Sequence, residues 1–413
     1  MREMKDSGVE WMGKVPENWN IVALKFLCSM QSGKTLSSEQ ISEEGKYPVY
    51  GGNGLRGYYS EANTFGDYLL VGRQGALCGN VHHVQGEFWA TEHAVVTKCS
   101  ALSDVRYMYY LLLGMNLNQY ASNTAAQPGL AVSQIINVKT CLAPIQEQKL
   151  IAVVLDEKCA QVNTLIANVQ AQIEKLKAYK QSLITEVVTK GLDHTVPMKD
   201  SGVAWIGEIP AHWEITRKLA FVTTEGISYG IVKLFDPDDV SGVKVLRCSD
   251  VLEGWIKPDN IRTVMREVSN EYARTILSGG EVVVNVRGSL GGCAVVPKTM
   301  AGYNIAREVA KIALNDSMCN RYVMYYLLSR CFVEYRTSRL SGSVYVGLNI
   351  ELLSSCPLPN PDLEEQTAIA DYLDEKCSQI DRLIAIKQAK IEKLEQYKRS
   401  LIYEYVTGKR EVV

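Results

Sequence analysis

Hydrophobic residues recur every seven positions along two long segments of the chain, which begin at Glu147 and Glu365. The main rows are Leu155, Val162, Val169, Leu176 and Leu183 in the first segment, and Leu373, Ile380, Leu394 and Leu401 in the second. A second row flanks each of them: Cys159, Ile166, Ile173 and Val187, and then Cys377, Ile384, Ile391 and Tyr405. Lys180 and Lys387 interrupt the rows. Apolar rows of this spacing need a partner helix, so the pattern predicts two long helices that pack as an antiparallel coiled-coil pair.

The segments in front of these helices have a different pattern. Short β-branched runs alternate with Gly, Asn and Asp, as in "YPVYGGNGLRGYYSEANTFGDYLLVGRQGALCGNV" (47–81) and "GGEVVVNVRGSLGGCAVV" (279–296). Such runs between turn residues are typical of short strands. We therefore predict two compact β bodies of strongly twisted sheet, with helices near residues 105–119 and 319–337 packed on them.

The chain is an internal repeat. The stretch "MKDSGVEWMGKVPENWNI" (4–21) returns as "MKDSGVAWIGEIPAHWEI" (198–215), and the two helical segments match without a gap. We call residues 4–21 and 198–215 the straps. Each strap holds two tryptophans with Gly and Pro between them, which predicts a structural anchor for the body that follows rather than a ligand-stacking site.

The bodies align more weakly than the straps and helices. Arg73 aligns with Arg287, and Gly129 aligns with Gly347. The second copy carries extra residues, mainly between Ile215 and Arg287, which we expect to be insertions in an otherwise equivalent fold. Bodies that diverge while the helices stay the same indicate two different tasks for the bodies and one shared task for the helices.

These patterns predict a mixed α/β (α+β) fold whose two copies are related by a pseudo-two-fold axis. The predicted parts are a first body (1–145), a first helix (146–192), a second body (193–363) and a second helix (364–413). The outward-facing letters "LDEKC", "IEKL" and "SLI.E.VT" are duplicated as well. Solvated helix faces vary freely, so this duplication predicts that a second protein contacts each helix.

Composition limits the class of protein. Hydrophobic residues make up 46% and charged residues 22% of the chain, which is typical of a globular protein. No apolar run is long enough to span a membrane and the N-terminus lacks the apolar stretch of a signal peptide, so we expect a cytoplasmic protein without membrane contact. The eleven cysteines form no C-x-x-C pair and accompany five histidines, so we expect no metal site. A net charge of −2 excludes a uniformly basic nucleic-acid binder but leaves room for local basic surfaces.

Arginines next to glycines are the best candidates for ligand contact in the bodies. Glycine lets the backbone approach a ligand, and Arg, Asn and Gln are the side chains that read base edges with two hydrogen bonds. The candidate DNA-binding residues are Arg56, Arg73, Gln74, Asn80, His93, Arg247, Asn285, Arg287 and Arg307. For each of them, an arginine or amide that only braces a turn is an equally good interpretation.

Motifs for catalysis are incomplete. "SGKT" (32–35) lacks the first glycine of a phosphate-binding loop, because position 28 is Cys28. "NPDL" (360–363) lacks the second proline and the aromatic residue of an adenine methyltransferase motif. We therefore expect a binding protein that is not itself an enzyme.

The order body, helix, body, helix resembles the specificity subunit of Type I restriction–modification enzymes. The resemblance is carried by the strap pattern "GV.W.G..P..W.I", the helix entry "P..EQ..I...LD" and the helix exit "SLI.E.VTG", with "VRGSLGG" and "REVAKI" in the second body. It implies that each body is a target-recognition domain for one half of a bipartite site in double-stranded DNA. The paired helices would set the gap between the half-sites.

The resemblance also implies partners. Two modification (methyltransferase) subunits would dock on the helices, and restriction (translocase–nuclease) subunits would join them. This chain would hold no cofactor, because S-adenosylmethionine, ATP and Mg²⁺ would bind to the partner subunits. Two alternatives remain: the specificity subunit of a bipartite-site system with a fused methyltransferase–nuclease, and a tandem-repeat scaffold that does not bind DNA.

Overall fold

The computed structural model describes residues 2–75, 78–122, 129–232, 242–340 and 347–412. The chain divides into two compact units. The first unit comprises residues 1–170 and 388–413, and the second comprises residues 171–387. Each of the two long helices therefore contributes one half to the first unit and the other half to the second.

The first unit contains a six-stranded sheet and two short strand pairs. Its strands are β1 (Met4–Asp6), β2 (Lys14–Pro16), β3 (Asn20–Ala23), β4 (Cys28–Ser32), β5 (Tyr47–Gly51), β6 (Gly54–Tyr59), β7 (Thr64–Gly72), β8 (Val81–Ala90), β9 (Ala94–Cys99) and β10 (Lys139–Leu142). Its helices are α1 (Val105–Gly114), α2 (Val132–Ile135) and the first part of α3 (Ile145–Lys190). The main sheet has the order β4-β9-β7-β8-β5-β6, in which only β5 and β8 run parallel.

Strand β7 shows why this sheet is buried on both faces. Successive side chains of a strand point to opposite faces. Leu69 and Val71 pack with α1 in one hydrophobic cluster, while Leu70 packs with Phe88 in a second cluster. A continuous apolar run therefore contributes side chains to both hydrophobic clusters. The strand ends at Gly72, immediately before Arg73.

The second unit repeats this plan with a divided sheet. Its strands are β11 (Met198–Asp200), β12 (Glu208–Pro210), β13 (Glu214–Thr216), β14 (Ser228–Tyr229), β15 (Val243–Leu246), β16 (Arg262–Val264), β17 (Val282–Asn285), β18 (Cys293–Val295), β19 (Asn304–Ile305), β20 (Val309–Ile312) and β21 (Leu358–Asn360). Its helices are α4 (Arg266–Glu271), α5 (Asn320–Leu328), α6 (Arg330–Leu340), α7 (Ile350–Ser354) and the first part of α8 (Leu363–Val406). The sheets have the orders β14-β20-β17-β18 and β16-β15-β19.

The prediction of one helix near 319–337 was wrong in detail, because two helices lie there. Helix α5 ends before Ser329 and α6 begins after it. The Ser329 hydroxyl donates to the Tyr326 carbonyl oxygen at 2.6 Å, a local bond that competes with the helix ladder. In the first unit, α1 is likewise shorter than predicted and is followed by a separate helical turn at Leu117–Tyr120.

Each strap is anchored to the start of its unit's long helix, as the tryptophan pattern predicted. Trp19 and Trp213 are fully buried. Trp19 Nε1 donates to Glu147 Oε2 at 2.9 Å, and Trp213 Nε1 donates to Glu365 Oε2 at 2.8 Å. The duplicated "EQ" at the helix entry thus holds the duplicated strap.

The long helices bury the heptad rows. Leu155, Val162, Val169, Leu183, Leu373, Ile380 and Leu401 are buried, and Leu176 and Leu394 are half-buried. The two interrupting lysines make polar contacts between the helices: Lys180 Nζ lies 2.7 Å from Asp381, and Lys387 Nζ donates to Gln172 at 2.6 Å. Partner numbers fall on α8 as they rise on α3, so the second unit contains an antiparallel pair.

The first unit has an equivalent contact between the other halves of the helices. Lys398 Nζ donates to Asn163 Oδ1 at 2.8 Å. In the repeat, Lys398 corresponds to Lys180, and Asn163 corresponds to Asp381. Lys180 and Lys398 therefore make the same polar contact between the helices, one in each unit.

Part of the duplicated helix surface has an internal role, which corrects the inference that all of it contacts a second protein. Asp156 accepts hydrogen bonds from Arg106 and from the Tyr110 hydroxyl, the latter at 2.7 Å. Asp374 binds Arg321 and accepts from the Tyr325 hydroxyl at 2.7 Å in the same way. The aspartate of "LDEKC" therefore fixes each body to its helix, because an ionised carboxylate forms strong bonds with these donors.

Candidate nucleic-acid interface

Three of the predicted residues of the first body lie around one depression. Arg56, Gln74 and His93 line a cavity of about 420 Å³ that also includes Asn53. Arg56 and Gln74 are exposed, and Arg56 Nη2 lies 3.5 Å from Ser38 Oγ. Asn80 reaches the same place, because its Nδ2 donates to Asn53 Oδ1 at 3.4 Å. The edge thus presents a cation, three amides and an imidazole side by side.

Arg73 is half-buried beside this depression. Its Nη1 donates to the Ser32 hydroxyl at 3.2 Å, and its backbone N donates to the His93 carbonyl oxygen at 2.9 Å. Its own carbonyl oxygen accepts from Leu130 N at 2.8 Å. The backbone of Arg73 therefore joins three loops, and the exposed side chain at this position of the edge is that of Gln74.

The second body makes the same two backbone bonds one residue before Arg287. Val286 N donates to the Glu308 carbonyl oxygen at 2.8 Å, and Leu348 N donates to the Val286 carbonyl oxygen at 2.8 Å. The residue of the first body that corresponds to Arg287 is therefore Gln74. The alignment of Arg73 with Arg287 was wrong by one position, because it matched letters without the hydrogen-bond register of the strands.

A glycine in the left-handed region follows both exposed side chains. Gly75, after Gln74, has φ +82°, and Gly288, after Arg287, has φ +73°. Residues with a Cβ rarely adopt this conformation. The glycine turns the chain immediately after the exposed amide or guanidinium, so that side chain stands at the rim of the sheet in both bodies.

Arg287 and Arg307 are the exposed candidates of the second body. The guanidinium carbon of Arg287 lies 5.8 Å from the centre of the Tyr229 ring, within the range of a cation–π contact. The backbone N of Arg307 donates to the Ile231 carbonyl oxygen at 2.9 Å. Tyr229 thus supports the Arg287 side chain. The sequence analysis did not identify Tyr229, because a tyrosine next to a glycine does not by itself indicate a DNA-binding position.

Arg247 and Asn285 have structural roles, which removes them from the candidate set. Arg247 grips the buried carboxylate of Asp250 with Nε and Nη2, each at 3.1 Å, and so braces its own turn. Asn285 is buried, and its Nδ2 donates to the carbonyl oxygens of Cys248, Val251 and Ser289. The Nδ2 of Asn285 and the Nε and Nη2 of Arg247 are engaged within the protein, so the turn-bracing interpretation holds for these two residues.

The thiols and histidines of the described residues show no metal centre. Within the ranges that the structure covers, no three His, Cys, Asp or Glu residues converge as metal ligands do. All eleven cysteines lie in those ranges and are free thiols. Burial raises the pKa of Cys28 and of Cys141 to about 12. Burial also lowers the pKa of His82, whose Nε2 is buried without a partner.

Among the described helices, none combines the length and the apolar character that crossing a bilayer requires.

The fold is a tandem arrangement of two β bodies, each with a polar rim and each fixed to paired long helices. The family model of the Type I restriction modification DNA specificity domain matches residues 16–175 and 222–396. These segments span most of the chain and contain both bodies, so the chain belongs to this family and is a specificity subunit of the Type I class.

Two curated relatives are specificity subunits of type I restriction enzymes, and one solved structure has the same fold. The specificity subunit of the type I restriction enzyme EcoprrI of Escherichia coli is 44% identical over 135 residues, which cover 32% of this chain and 33% of that protein. The MjaVIII specificity subunit of Methanocaldococcus jannaschii is 25% identical over 415 residues, covering 96% and 94% of the two chains. A chain from a solved structure of the type I R-M system has a TM-score of 0.65 at 15% identity, over 95% of this chain and 98% of that chain, and has the same fold.

Proposed function

We propose that each β body reads one half of a bipartite site in double-stranded DNA. The observation that carries this proposal is the shared rim position, which presents Gln74 in one body and Arg287 in the other, each before a left-handed glycine. Gln pairs with two hydrogen bonds to adenine and Arg to guanine in the major groove. The two bodies thus present different side chains from the same backbone position, as is needed to read two different half-sequences.

The helices set the distance between the half-sites in this proposal. Helix α3 has 46 residues and α8 has 44. At about 1.5 Å per residue, they extend over roughly 65–70 Å. Half-sites on one face of DNA lie about 34–36 Å apart for each helical turn, so helices of this length suffice for such a separation.

The exposed part of the duplicated helix surface supports two identical partners. The residues that remain exposed in both copies include Lys175, Tyr179 and Ser182 and their counterparts Lys393, Tyr397 and Ser400. Their spacing places them on one face of each helix. Tyr179 is 59% exposed and Tyr397 is 52% exposed, and tyrosine is enriched at the centres of protein interfaces.

We assign this face to two modification subunits, which restriction subunits then join in the complete complex. S-adenosylmethionine, ATP and Mg²⁺ bind to those partners in this proposal, and the chain itself neither transfers methyl groups nor cleaves DNA. The complex acts in the cytoplasm on the DNA of the cell. In this proposal the partner subunits also contact the DNA, so a net charge of −2 on this chain does not prevent the complex from binding DNA.

The experiment that tests half-site reading compares Gln74→Ala, Arg287→Ala and Arg287→Lys in the complex with the modification subunits. DNA from a randomised library is selected by binding and sequenced. Each alanine variant should relax one half-sequence only and weaken binding to the intact site about tenfold to a hundredfold, since one bidentate base contact contributes about 1–3 kcal/mol. Arg287→Lys keeps the charge but loses the planar fork, so it should also relax that half-sequence. Equal losses on specific and random DNA would make these side chains phosphate contacts.

A further inference from the structure

Two exposed phenylalanines occupy the same position in the two units. The chain has six phenylalanines, and Phe26 and Phe221 both lie in the helical turn that follows a strap. The turns are equivalent, because Leu24 N donates to the Val138 carbonyl oxygen and Leu219 N donates to the Cys356 carbonyl oxygen. Phe26 is 59% exposed and Phe221 is 66% exposed. The two bodies, which differ elsewhere in sequence, thus share an exposed aromatic side chain at one equivalent position.

We call the sheet end that carries Gln74 or Arg287 the reading rim. In the first unit, the Phe26 ring lies at the opposite end of the sheet. Strand β4 begins two residues after Phe26 at Cys28 and ends at Ser32, whose hydroxyl contacts Arg73. At about 3.3 Å per residue, the strand alone separates the two ends by about 13 Å. A DNA duplex held at the rim therefore does not account for Phe26.

The second unit places Phe221 in the same way. The carbonyl oxygen of the next residue, Val222, accepts from Asn315 N at 2.9 Å. Asn315 lies beyond the far end of β20, whose other end, Val309, pairs with Asn285 near the rim. Phe221 is therefore also at the end of its sheet that faces away from Arg287.

Short hydrogen-bond chains tie each turn to the start of a long helix. In the first unit, Ser100 Oγ donates to the Phe26 carbonyl oxygen at 3.1 Å, and Gln148 Nε2 donates to the carbonyl oxygen of the nearby Leu102 at 3.0 Å. In the second, Asn315 N donates to the Val222 carbonyl oxygen, Ser317 N donates to Asn315 Oδ1 at 3.1 Å, and Gln366 Nε2 donates to the Ser317 carbonyl oxygen at 3.3 Å. The turns that carry the rings are thus held close to the start of α3 in the first unit and of α8 in the second.

A lysine lies over each ring. Lys25 Nζ is 5.5 Å from the centre of the Phe26 ring, and Lys218 Nζ is 5.8 Å from that of Phe221. An apolar ring beside a cation fits an apolar pocket with an acidic rim. Because the same feature occurs once in each unit, its occupant is a molecule that binds in two copies.

We propose that Phe26 and Phe221 anchor two equivalent protein-docking surfaces, each of which takes one copy of the modification subunit. This inference rests on the proposed function for the identity of the partner. A protein partner is favoured over DNA because the rings face away from the reading rim. Within each unit it adds a contact on the body to the exposed helix face, which is that of α8 in the first unit and that of α3 in the second.

The test measures how many modification subunits the full-length chain binds. Phe26→Ala, Phe221→Ala and the double variant are mixed with the modification subunit of the same restriction–modification system, and the complexes are analysed by native mass spectrometry and by titration. Both rings are exposed, so the variants should fold. Phe65→Ala is the matched control, because Phe65 is 67% exposed and corresponds by strand register to Ser278, so it has no aromatic counterpart.

The wild-type chain and Phe65→Ala should bind two copies. Each single variant should weaken one of the two binding steps roughly thirtyfold or more, as expected for an interface anchor, and the double variant should weaken both. Two copies bound with wild-type affinity in every variant would overturn the inference. So would a loss of DNA binding with both copies retained, which would assign the rings to DNA. A wild-type chain that binds no modification subunit would instead contradict the proposed function.

Discussion

Lengthening both long helices by one heptad should lengthen the gap in the recognised DNA without changing the half-sequences. The sites for insertion are after Gln170 and after Lys387, where each helix passes from one unit to the other. Both helices must be changed, since each unit contains one half of each helix. A duplicated native heptad keeps the apolar rows in phase, because those rows repeat every seven residues.

The size of the effect follows from the rise of the helix and of DNA. Seven residues add about 10 Å at about 1.5 Å per residue, and DNA advances about 3.4 Å per base pair. The preferred gap should therefore increase by about three base pairs. Three base pairs also turn the second half-site by about 100° at 10–10.5 base pairs per turn, so affinity should fall. Three inserted heptads should add about 30 Å, or about nine base pairs, and should recover most of the affinity because that is close to a full turn.

The assay selects sites from a DNA library in which two fixed half-sequences are separated by gaps of every length. Complexes with no, one or three inserted heptads in each helix are compared. A variant with one heptad in α3 alone is the control, and it should bind poorly because the contact between Lys398 and Asn163 and the contact between Lys180 and Asp381 can no longer form in the same register. A gap that stays the same while a half-sequence changes would refute the reasoning.

Three further predictions concern the chain itself. Asp374→Asn should lower the melting temperature of the second unit by about 2–8 °C by differential scanning calorimetry, because it weakens bonds worth about 1–2 kcal/mol. Glu375→Gln on the exposed face should change the melting temperature little, and equal shifts would mean that Asp374 is not a brace. Cys28 and Cys141 should resist iodoacetamide in the native chain at pH 8, because burial raises the pKa of each thiol to about 12 and keeps it protonated. Rapid labelling of either thiol, measured by mass spectrometry, would contradict this burial. The purified chain should transfer no methyl group from radiolabelled S-adenosylmethionine to DNA until modification subunits are added, and turnover by the chain alone would contradict its proposed non-catalytic role.

The sequence was sufficient to predict the helix pair and the straps. Apolar residues at heptad spacing are a local pattern, and burial of rows such as Leu155 and Leu373 follows from that spacing. The repeat also revealed the strap anchors, since Trp19 and Trp213 recur with Glu147 and Glu365. These features depend on periodicity and identity, which are visible in a single chain.

The details of the reading rim could not be predicted in the same way. Which residue faces out at the end of a strand depends on hydrogen-bond register, and a shift of one residue moves a side chain to the other face. That is why the alignment favoured Arg73 where the structure exposes Gln74. The roles of Arg247 and Asn285 depend on a buried carboxylate and on loop carbonyls that only the folded chain brings together.

Methylome sequencing of the host tests the central claim most directly. It is performed on cells with the gene, on cells without it, and on cells in which Arg287→Ala replaces the native chain. We predict one methylated bipartite motif that disappears without the gene and that loses stringency in one half only when Arg287 is replaced. If the methylated motifs are the same with and without the gene, this chain does not determine DNA specificity and the proposed function is wrong.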